Sequence, residues 1–114
     1  DDIMGIEAQE MTVTEWRWRK HTSRASGKEM LAVSYYGGLS DPLVEEYFPV
    51  THGGYAGEKA LATLGVIASN AGAMLTPSVT LDGVSAMLNH GAPPAAITYK
   101  RDGKFHRIIG RTWQ

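Results

Sequence analysis

The segment AAITYKRDGKFHRIIGRTW, residues 95–113, constrains the fold more than any other part of the chain. It has two arms rich in β-branched and aromatic residues, AAITYK and FHRIIGRTW, joined through Arg101-Asp102-Gly103-Lys104. An Asp-Gly pair between such arms is a strong hairpin signal, because tight hairpin turns need residues that tolerate positive φ. The chain is therefore expected to contain an antiparallel sheet that includes this hairpin.

The remaining sequence predicts three further strands and two helices. The strands are expected in MTVTEWRWRK, KEMLAVSYY and LVEEYFPVTH, the last of them broken at Pro49. Apolar residues at helical spacing predict a helix in YAGEKALATLGVIASNAG, and a short helix in GVSAMLNH would have Asp82 as its N-cap. Residues 1–9 are expected to form a linker or disordered tail, and residues 10–114 a single α+β domain.

The predicted element order is β-β-β-α-(α)-β-β, which is the order of the OB-fold. We therefore expect a five-stranded, mainly antiparallel curved sheet or an OB-like barrel, although an open α+β sheet with a helix on one face fits the same order. In the OB-fold the loops that join strands 1–2 and 4–5 flank the oligonucleotide-binding face. Here those loops are residues 20–28 and 101–104, which makes them candidates for one binding surface.

Charge is segregated along the sequence, although the net charge is only -1. A first basic window, residues 17–28, has a charge of +5, and a second basic window, residues 100–111, has +4. The remainder has -10, because eleven acids face only Lys59. Single-stranded nucleic acid offers phosphates to Lys and Arg and unstacked bases to aromatic rings. The two windows therefore predict nucleic-acid contact, and a solvated surface without a partner is the alternative.

The candidate nucleic-acid-binding residues are the cations of both windows and three aromatic rings beside them. Phosphate contacts are expected from Arg17, Arg19, Lys20, Arg24, Lys28, Lys100, Arg101, Lys104 and Arg107, and base stacking from Trp18, Tyr99 and Phe105. For Trp18, as for Trp16, a place in the core is the alternative, because strand alternation separates both indoles from Arg17 and Arg19.

Other chemistry finds little support in the sequence. There is no Cys, no nucleophile with an obvious base, and no pair of histidines at the helical i, i+4 spacing, so neither an enzyme active site nor a cofactor or metal is expected. The stretch THGGYAGEKA, residues 51–60, could present backbone N–H groups to a phosphate near Lys59. A strand-to-helix turn that requires positive φ is the favoured interpretation.

The sequence also predicts a cytoplasmic protein without membrane contact. Its longest mostly apolar stretch, ALATLGVIASNAGAML, is too short and too polar to span a bilayer. The N-terminal Asp-Asp pair lacks the basic residues that begin a secretion signal.

Residues 12–110 contain a series of short motifs, of which none is specific by itself. It comprises His21, Gly27-Lys28, Val33 with Tyr35, Gly38-Leu39, EEYFPVTHGGYAGEKA, LTPSVTLDGVSAM and PPAAITYKRDGKFHRIIG. In their order and spacing these motifs make the chain resemble the C-terminal accessory region of phage and prophage DEAD/DEAH-type superfamily II helicases.

The resemblance implies a non-catalytic domain in a bacterial or phage-infected cell, with the ATPase motor in preceding domains. Its expected partners are those motor domains and DNA, single-stranded rather than duplex, held while the motor works. The alternative is a protein-interaction or structural docking module that does not touch nucleic acid, for which the acidic remainder, including Glu45, Glu46 and Glu58, would serve.

Overall fold

The elements follow the predicted order, with one additional strand at the start. The computed structural model describes residues 7–39, 43–73, 80–103 and 105–114. In chain order the elements within these residues are β1 (Gln9–Thr12), β2 (Glu15–Thr22), β3 (Glu29–Tyr36), β4 (Val44–Phe48), α1 (Gly54–Ala71), α2 (Leu81–Asn89), β5 (Ala96–Asp102) and β6 (Phe105–Thr112). The α+β class is thus confirmed. Of the predicted tail, residues 1–6 lie outside the described residues, and Gln9 already belongs to β1.

The strands form two three-stranded sheets, so the prediction of one five-stranded sheet or an OB-like barrel is wrong. One sheet has the order β1-β5-β6 and the other β2-β3-β4. The difference arises inside MTVTEWRWRK, where the N–H of Val13 donates to the carbonyl of Ala95 (2.9 Å). The N–H of Thr14 donates instead to the carbonyl of Tyr36 in β3 (2.8 Å). Adjacent residues thus hydrogen-bond to different parts of the chain, and the single predicted strand becomes two.

The chain divides into two compact units, and the boundary between them falls within β2, β3 and β4. Unit 1 consists of the described residues within Asp1–Trp16, Ser34–Glu46 and Pro93–Gln114. Unit 2 consists of those within Arg17–Val33 and Tyr47–Ala92. The β5–β6 hairpin therefore belongs to unit 1, and both helices belong to unit 2.

In unit 1, strand β5 pairs antiparallel with both β1 and β6. Its inward-facing residues, Ile97 and Tyr99, are buried. The Trp16 ring is also buried and lies 6.5 Å from the Tyr35 ring and 6.2 Å, edge-on, from the Trp113 ring. Such aromatic pairs stabilise a fold by about 0.5–1.5 kcal/mol beyond the burial of their area. The core alternative for Trp16 is therefore correct.

In unit 2, helix α1 buries one face, which is lined by Ala60, Leu64, Ile67 and other small or aliphatic residues. Buried residues recur at the three- and four-residue spacing from which the helix was predicted. The helix begins at Gly54, with Gly53 as its N-cap, and the φ angles of these two residues are +62° and +70°. Because these angles are unfavourable for residues with a Cβ, they explain the Gly-Gly pair as a strand-to-helix turn.

Helix α2 starts two residues earlier than the sequence indicated, at Leu81. Thr80 is its N-cap, because its Oγ1 accepts a hydrogen bond from the N–H of Gly83 (3.1 Å). The prediction of Asp82 as the N-cap is therefore wrong. Asp82 lies in the first turn, where a carboxylate is favoured by the helix dipole.

The far end of α2 is fixed to β2 by one amide side chain. The N–H of Trp18 donates to Oδ1 of Asn89 (2.6 Å), and Nδ2 of Asn89 donates to the carbonyl of Trp18 (3.0 Å). Strand β2 is at the end of its sheet, and Asn89 thus satisfies its backbone as a neighbouring strand would. The Trp18 ring, held at this position, stacks on Phe48 with centroids 5.4 Å apart.

We expect Asn89→Ala to lower the free energy of unfolding by about 1–3 kcal/mol, because it removes the two hydrogen bonds between Asn89 and the backbone of Trp18. Urea denaturation followed by tryptophan fluorescence would measure the change. Asn70→Ala is the matched control, because the Asn70 amide donates only to the carbonyl of Val66 one turn back on the exposed side of α1 (2.9 Å). Equal losses in the two variants would contradict the role assigned to Asn89.

Candidate nucleic-acid interface

The β5–β6 hairpin carries most of the second basic window. Its strands pair so that Lys100 lies opposite Arg107, and Asp102 lies opposite Phe105. Gly103 has a φ of +64° between them, as a two-residue hairpin turn requires. The predicted hairpin is confirmed, and Lys104, a predicted phosphate contact, lies outside the described residues.

One face of the hairpin combines cations with an exposed aromatic ring. Because Tyr99 is buried, its neighbour Lys100 projects to the opposite face of β5. Cross-strand partners share a face, so Arg107 lies beside Lys100, and Phe105 is two residues away on the same strand. Phe105 is 59% exposed. We call this surface the outer hairpin face; it consists of Lys100, Asp102, Phe105 and Arg107.

The charges on the outer hairpin face favour an anion. Lys100 and Arg107 are directly opposite one another, an arrangement that is destabilising for like charges. Glu10 lies opposite Thr98, diagonally from Lys100, and Asp102 lies diagonally from Arg107. These carboxylates offset part of the repulsion, and a bound phosphate would offset more of it.

The inner face of the hairpin holds a histidine next to another cation. His106 lies opposite Arg101 in the β5–β6 register. Its ring meets the Tyr99 ring edge-on, with centroids 5.4 Å apart. Partial burial, and next the positive charge of Arg101, lower the pKa of His106, whereas Glu45 acts in the opposite direction. The sequence analysis did not single out this histidine, because its position opposite Arg101 depends on the hairpin register.

The first basic window covers most of β2, from Arg17 onwards, and the loop that follows this strand. Arg17 is exposed and Arg19 is half-buried, on the face of β2 opposite the buried indoles. Arg24 and Lys28 are exposed in the loop. The loop is closed by hydrogen bonds from the N–H of Ser23 to the carbonyl of Lys28 (2.9 Å) and from the N–H of Gly27 to the carbonyl of Ser23 (2.8 Å).

Lys20, a predicted phosphate contact in this window, is held by two carboxylates. Its Nζ lies 3.3 Å from Oε2 of Glu29 and 3.3 Å from Oδ2 of Asp82. Hydrogen bonds to Glu29 and then to Asp82 raise the pKa of Lys20. A phosphate would have to displace or share these carboxylates, so Lys20 is a weaker candidate than Arg24 or Lys28.

Two of the three predicted stacking residues are inaccessible to a base. Trp18 and Tyr99 are each only 4% exposed, so their faces cannot receive a ligand in this structure. Of the three, Phe105 alone keeps the role of a stacking residue.

Tyr47 of β4 is an aromatic residue that the sequence analysis did not predict as a stacking candidate. Its ring is half-buried and lies 5.1 Å from the ring of His21 in the first window. Periodicity gave no signal for this pairing, because it joins residues far apart in the sequence.

Arg111, the last cation of the second window, forms a mostly buried ion pair and is not available on the surface. Its Nη2 donates to both carboxylate oxygens of Glu46, and its Nε donates to the hydroxyl of Tyr35 (3.3 Å). Tyr35 in turn donates to Oε1 of Glu46 (2.8 Å). Burial, and next the Glu46 carboxylate, raise the pKa of Tyr35, so its hydroxyl remains a donor at neutral pH.

A β-bulge explains why Arg111 and Arg107 lie on opposite faces of the hairpin. Tyr99 pairs with Ile108 and Thr98 pairs with Gly110, which leaves Ile109 as one extra residue in β6. Beyond the bulge the alternation of faces is reversed. Arg111 therefore lies opposite the buried Ile97, whereas Arg107 lies on the outer hairpin face.

The two basic windows belong to different units, the first to unit 2 and the second to unit 1. The expectation that both contribute to one surface was based on the loop positions of an OB-fold barrel. Since the chain forms two sheets instead, that expectation loses its structural argument and stays a prediction. Each window is therefore considered as a separate candidate surface.

Neither a metal site nor a membrane span is evident in the described parts of the chain. No three His, Asp or Glu side chains there are grouped to hold a metal ion. No helix among them has the length and apolar character needed to cross a bilayer. Comparison of the chain with models of known protein families and with curated proteins gave no match.

We expect Glu46→Leu to lower the free energy of unfolding by about 3–5 kcal/mol, because it strands a mostly buried guanidinium and a buried hydroxyl. The side chains of Arg111 and Glu46 are only 15% and 17% exposed. Urea denaturation would measure the loss.

The double variant Glu46→Leu/Arg111→Met is the control for that measurement. Removing both charges should recover most of the stability, because no unpaired buried charge remains. If the double variant loses as much as the sum of the two single variants, the two residues do not act as a pair.

Proposed function

We propose that this chain binds single-stranded nucleic acid, in the first place DNA, through the outer hairpin face. The observation that carries the proposal is the grouping of the exposed Phe105 ring with Lys100 and Arg107 on one face of one hairpin. The exposed cations of the first window, Arg17, Arg24 and Lys28, are proposed as phosphate contacts of a separate surface in unit 2.

The chemistry of this face suits a strand with unstacked bases. An exposed aromatic ring can stack on a base of any sequence, which contributes about 1–3 kcal/mol. In a duplex the base faces are covered by their neighbours, so Phe105 could not use this energy. Phe105 and Arg107 are two residues apart along β6, which corresponds to about 7 Å. A stacked base and a neighbouring phosphate can therefore contact the two side chains together.

We further propose that the chain is a non-catalytic accessory domain of a phage-type DNA helicase. The support for this part is the order of the motifs in residues 12–110, from His21 to the hairpin. The motor that hydrolyses ATP would lie in other domains, and this chain would hold the DNA strand for it.

Protein docking is a second candidate function, and one observation favours it. Three large apolar side chains of helix α1 are exposed: Tyr55, Leu61 and Val66. Leu61 and Val66 flank the small residues Ala62 and Gly65. Several large apolar side chains exposed on one helix are a feature of interaction surfaces.

We expect a fluorescently labelled oligo-dT to bind the wild-type chain with an affinity that falls steeply with salt, because bound phosphates release counterions. Arg107→Glu should reduce the affinity by more than tenfold, since it removes one phosphate contact and repels the strand. Arg107→Gln should lower the slope of log K against log salt by about 0.7. Fluorescence anisotropy over a range of salt concentrations would measure both effects.

Lys59→Glu is the matched control for the charge reversal, because Lys59 is an exposed cation on α1 outside both windows. Asp102→Asn should strengthen binding, since it removes the acid of the outer hairpin face. No binding of oligo-dT by the wild-type chain at low salt would overturn the proposal and favour docking. Equal losses in Arg107→Glu and Lys59→Glu would mean that binding follows net charge and has no defined site.

We expect Phe105→Ala to weaken oligo-dT binding by about 1–3 kcal/mol without changing the salt slope, because stacking involves no counterions. Leu61→Ala is the matched control, since it also removes an exposed apolar side chain but lies on α1. Quenching of a base fluorophore in the oligonucleotide would report the stacking directly. An unchanged affinity in Phe105→Ala would exclude the hairpin as the base-binding surface.

A further inference from the structure

The inner face of the hairpin places a titratable ring beside Arg101, a predicted phosphate contact that lies on the face opposite the outer hairpin face. His106 and Arg101 are direct cross-strand partners next to the turn. Arg101 is exposed, and His106 is half-buried against the edge of Tyr99. Among the described residues, the groups that act on His106 are Arg101 and Tyr99 of β5 and Glu45 of β4.

We propose that proton uptake by His106 is coupled to the binding of a nucleic-acid phosphate at Arg101, so that affinity for single strands increases as the pH falls. This inference rests on the proposed function, and it adds a phosphate contact at Arg101, on the other face of the same hairpin and next to its turn. It adds His106, which was not among the predicted contacts, as a residue that supplies positive charge.

The coupling follows from the position of the two side chains. In the free protein, imidazolium at His106 is disfavoured by partial burial and by the charge of Arg101, and it is favoured by Glu45. A phosphate at Arg101 adds negative charge beside the ring and reverses this balance. By linkage, a ligand that favours the protonated ring must bind more tightly to the protonated protein.

Two opposite changes in the pKa of His106 determine whether affinity rises or falls with pH. Burial and Arg101 lower the pKa of His106 in the free protein, and bound phosphate raises it. Above both pKa values the ring is neutral in both states, so affinity does not depend on its titration. As the pH falls between the two values, binding takes up a proton and affinity rises. The total gain is about tenfold for each unit of pKa difference.

Anisotropy with labelled oligo-dT at constant ionic strength, between pH 5.5 and 8.5, tests this coupling. The wild-type affinity should rise severalfold towards low pH, and His106→Gln should abolish most of that rise while keeping its affinity at pH 8.5. The matched control is His90→Gln at the end of α2, which is exposed and outside both basic windows and should keep the wild-type pH dependence.

The outcomes separate this inference from the proposed function. Binding with the same pH dependence in the wild type and His106→Gln would overturn the coupling and leave nucleic-acid binding intact. No binding at any pH would overturn the proposed function and the coupling with it. An NMR titration of the His106 ring protons in the wild type gives a second readout if His106→Gln does not fold. Its pKa should rise on addition of oligo-dT, and an unchanged value would contradict the coupling.

Discussion

The register of the β5–β6 hairpin decides which side chains are available to a ligand. Successive residues of a strand point to opposite faces, so a slip by one residue would exchange the two faces completely. The turn at Gly103 places Lys100 opposite Arg107 and leaves Phe105 exposed beside them. The extra residue Ile109 then reverses the alternation before the strand ends. The candidate interface and its internal anchor at Arg111 both follow from this register.

Within each unit, side chains form hydrogen bonds or ion pairs with residues far away in the sequence. In unit 1, Arg111 reaches Glu46 and Tyr35, which lie 65 and 76 residues away. In unit 2, Asn89 satisfies the backbone of Trp18 from 71 residues away. Buried polar groups and charges cost free energy unless they are paired. These contacts therefore select one arrangement of the strands and helices within their unit.

The same contacts sort the cations of the chain into those that stabilise the fold and those that face solvent. Arg111 is paired in the interior of unit 1, and Lys20 is paired with Glu29 and Asp82 on the surface of unit 2. Arg24 and Arg107 are exposed. The binding proposal therefore depends on fewer residues than the charge windows suggest, and on one aromatic ring. With fewer proposed contacts, each remaining residue must account for a larger share of the binding energy. The effect of each single substitution on affinity is therefore expected to be larger.

The sequence by itself determined the α+β class, the order of the main elements, the hairpin at Asp102-Gly103 and the segregation of charge. These features depend on local propensity and on the two- and 3.6-residue periodicities, which can be read from neighbouring residues. Only the tertiary structure decided that MTVTEWRWRK divides at Val13–Thr14, that Arg107 and Arg111 take opposite faces, and that Trp18 and Tyr99 are buried. Each of these outcomes depends on a hydrogen bond, a bulge or a packing partner supplied by another element. Periodicity along one segment carries no information about such partners, because their positions are set only when the strands pair and the core closes.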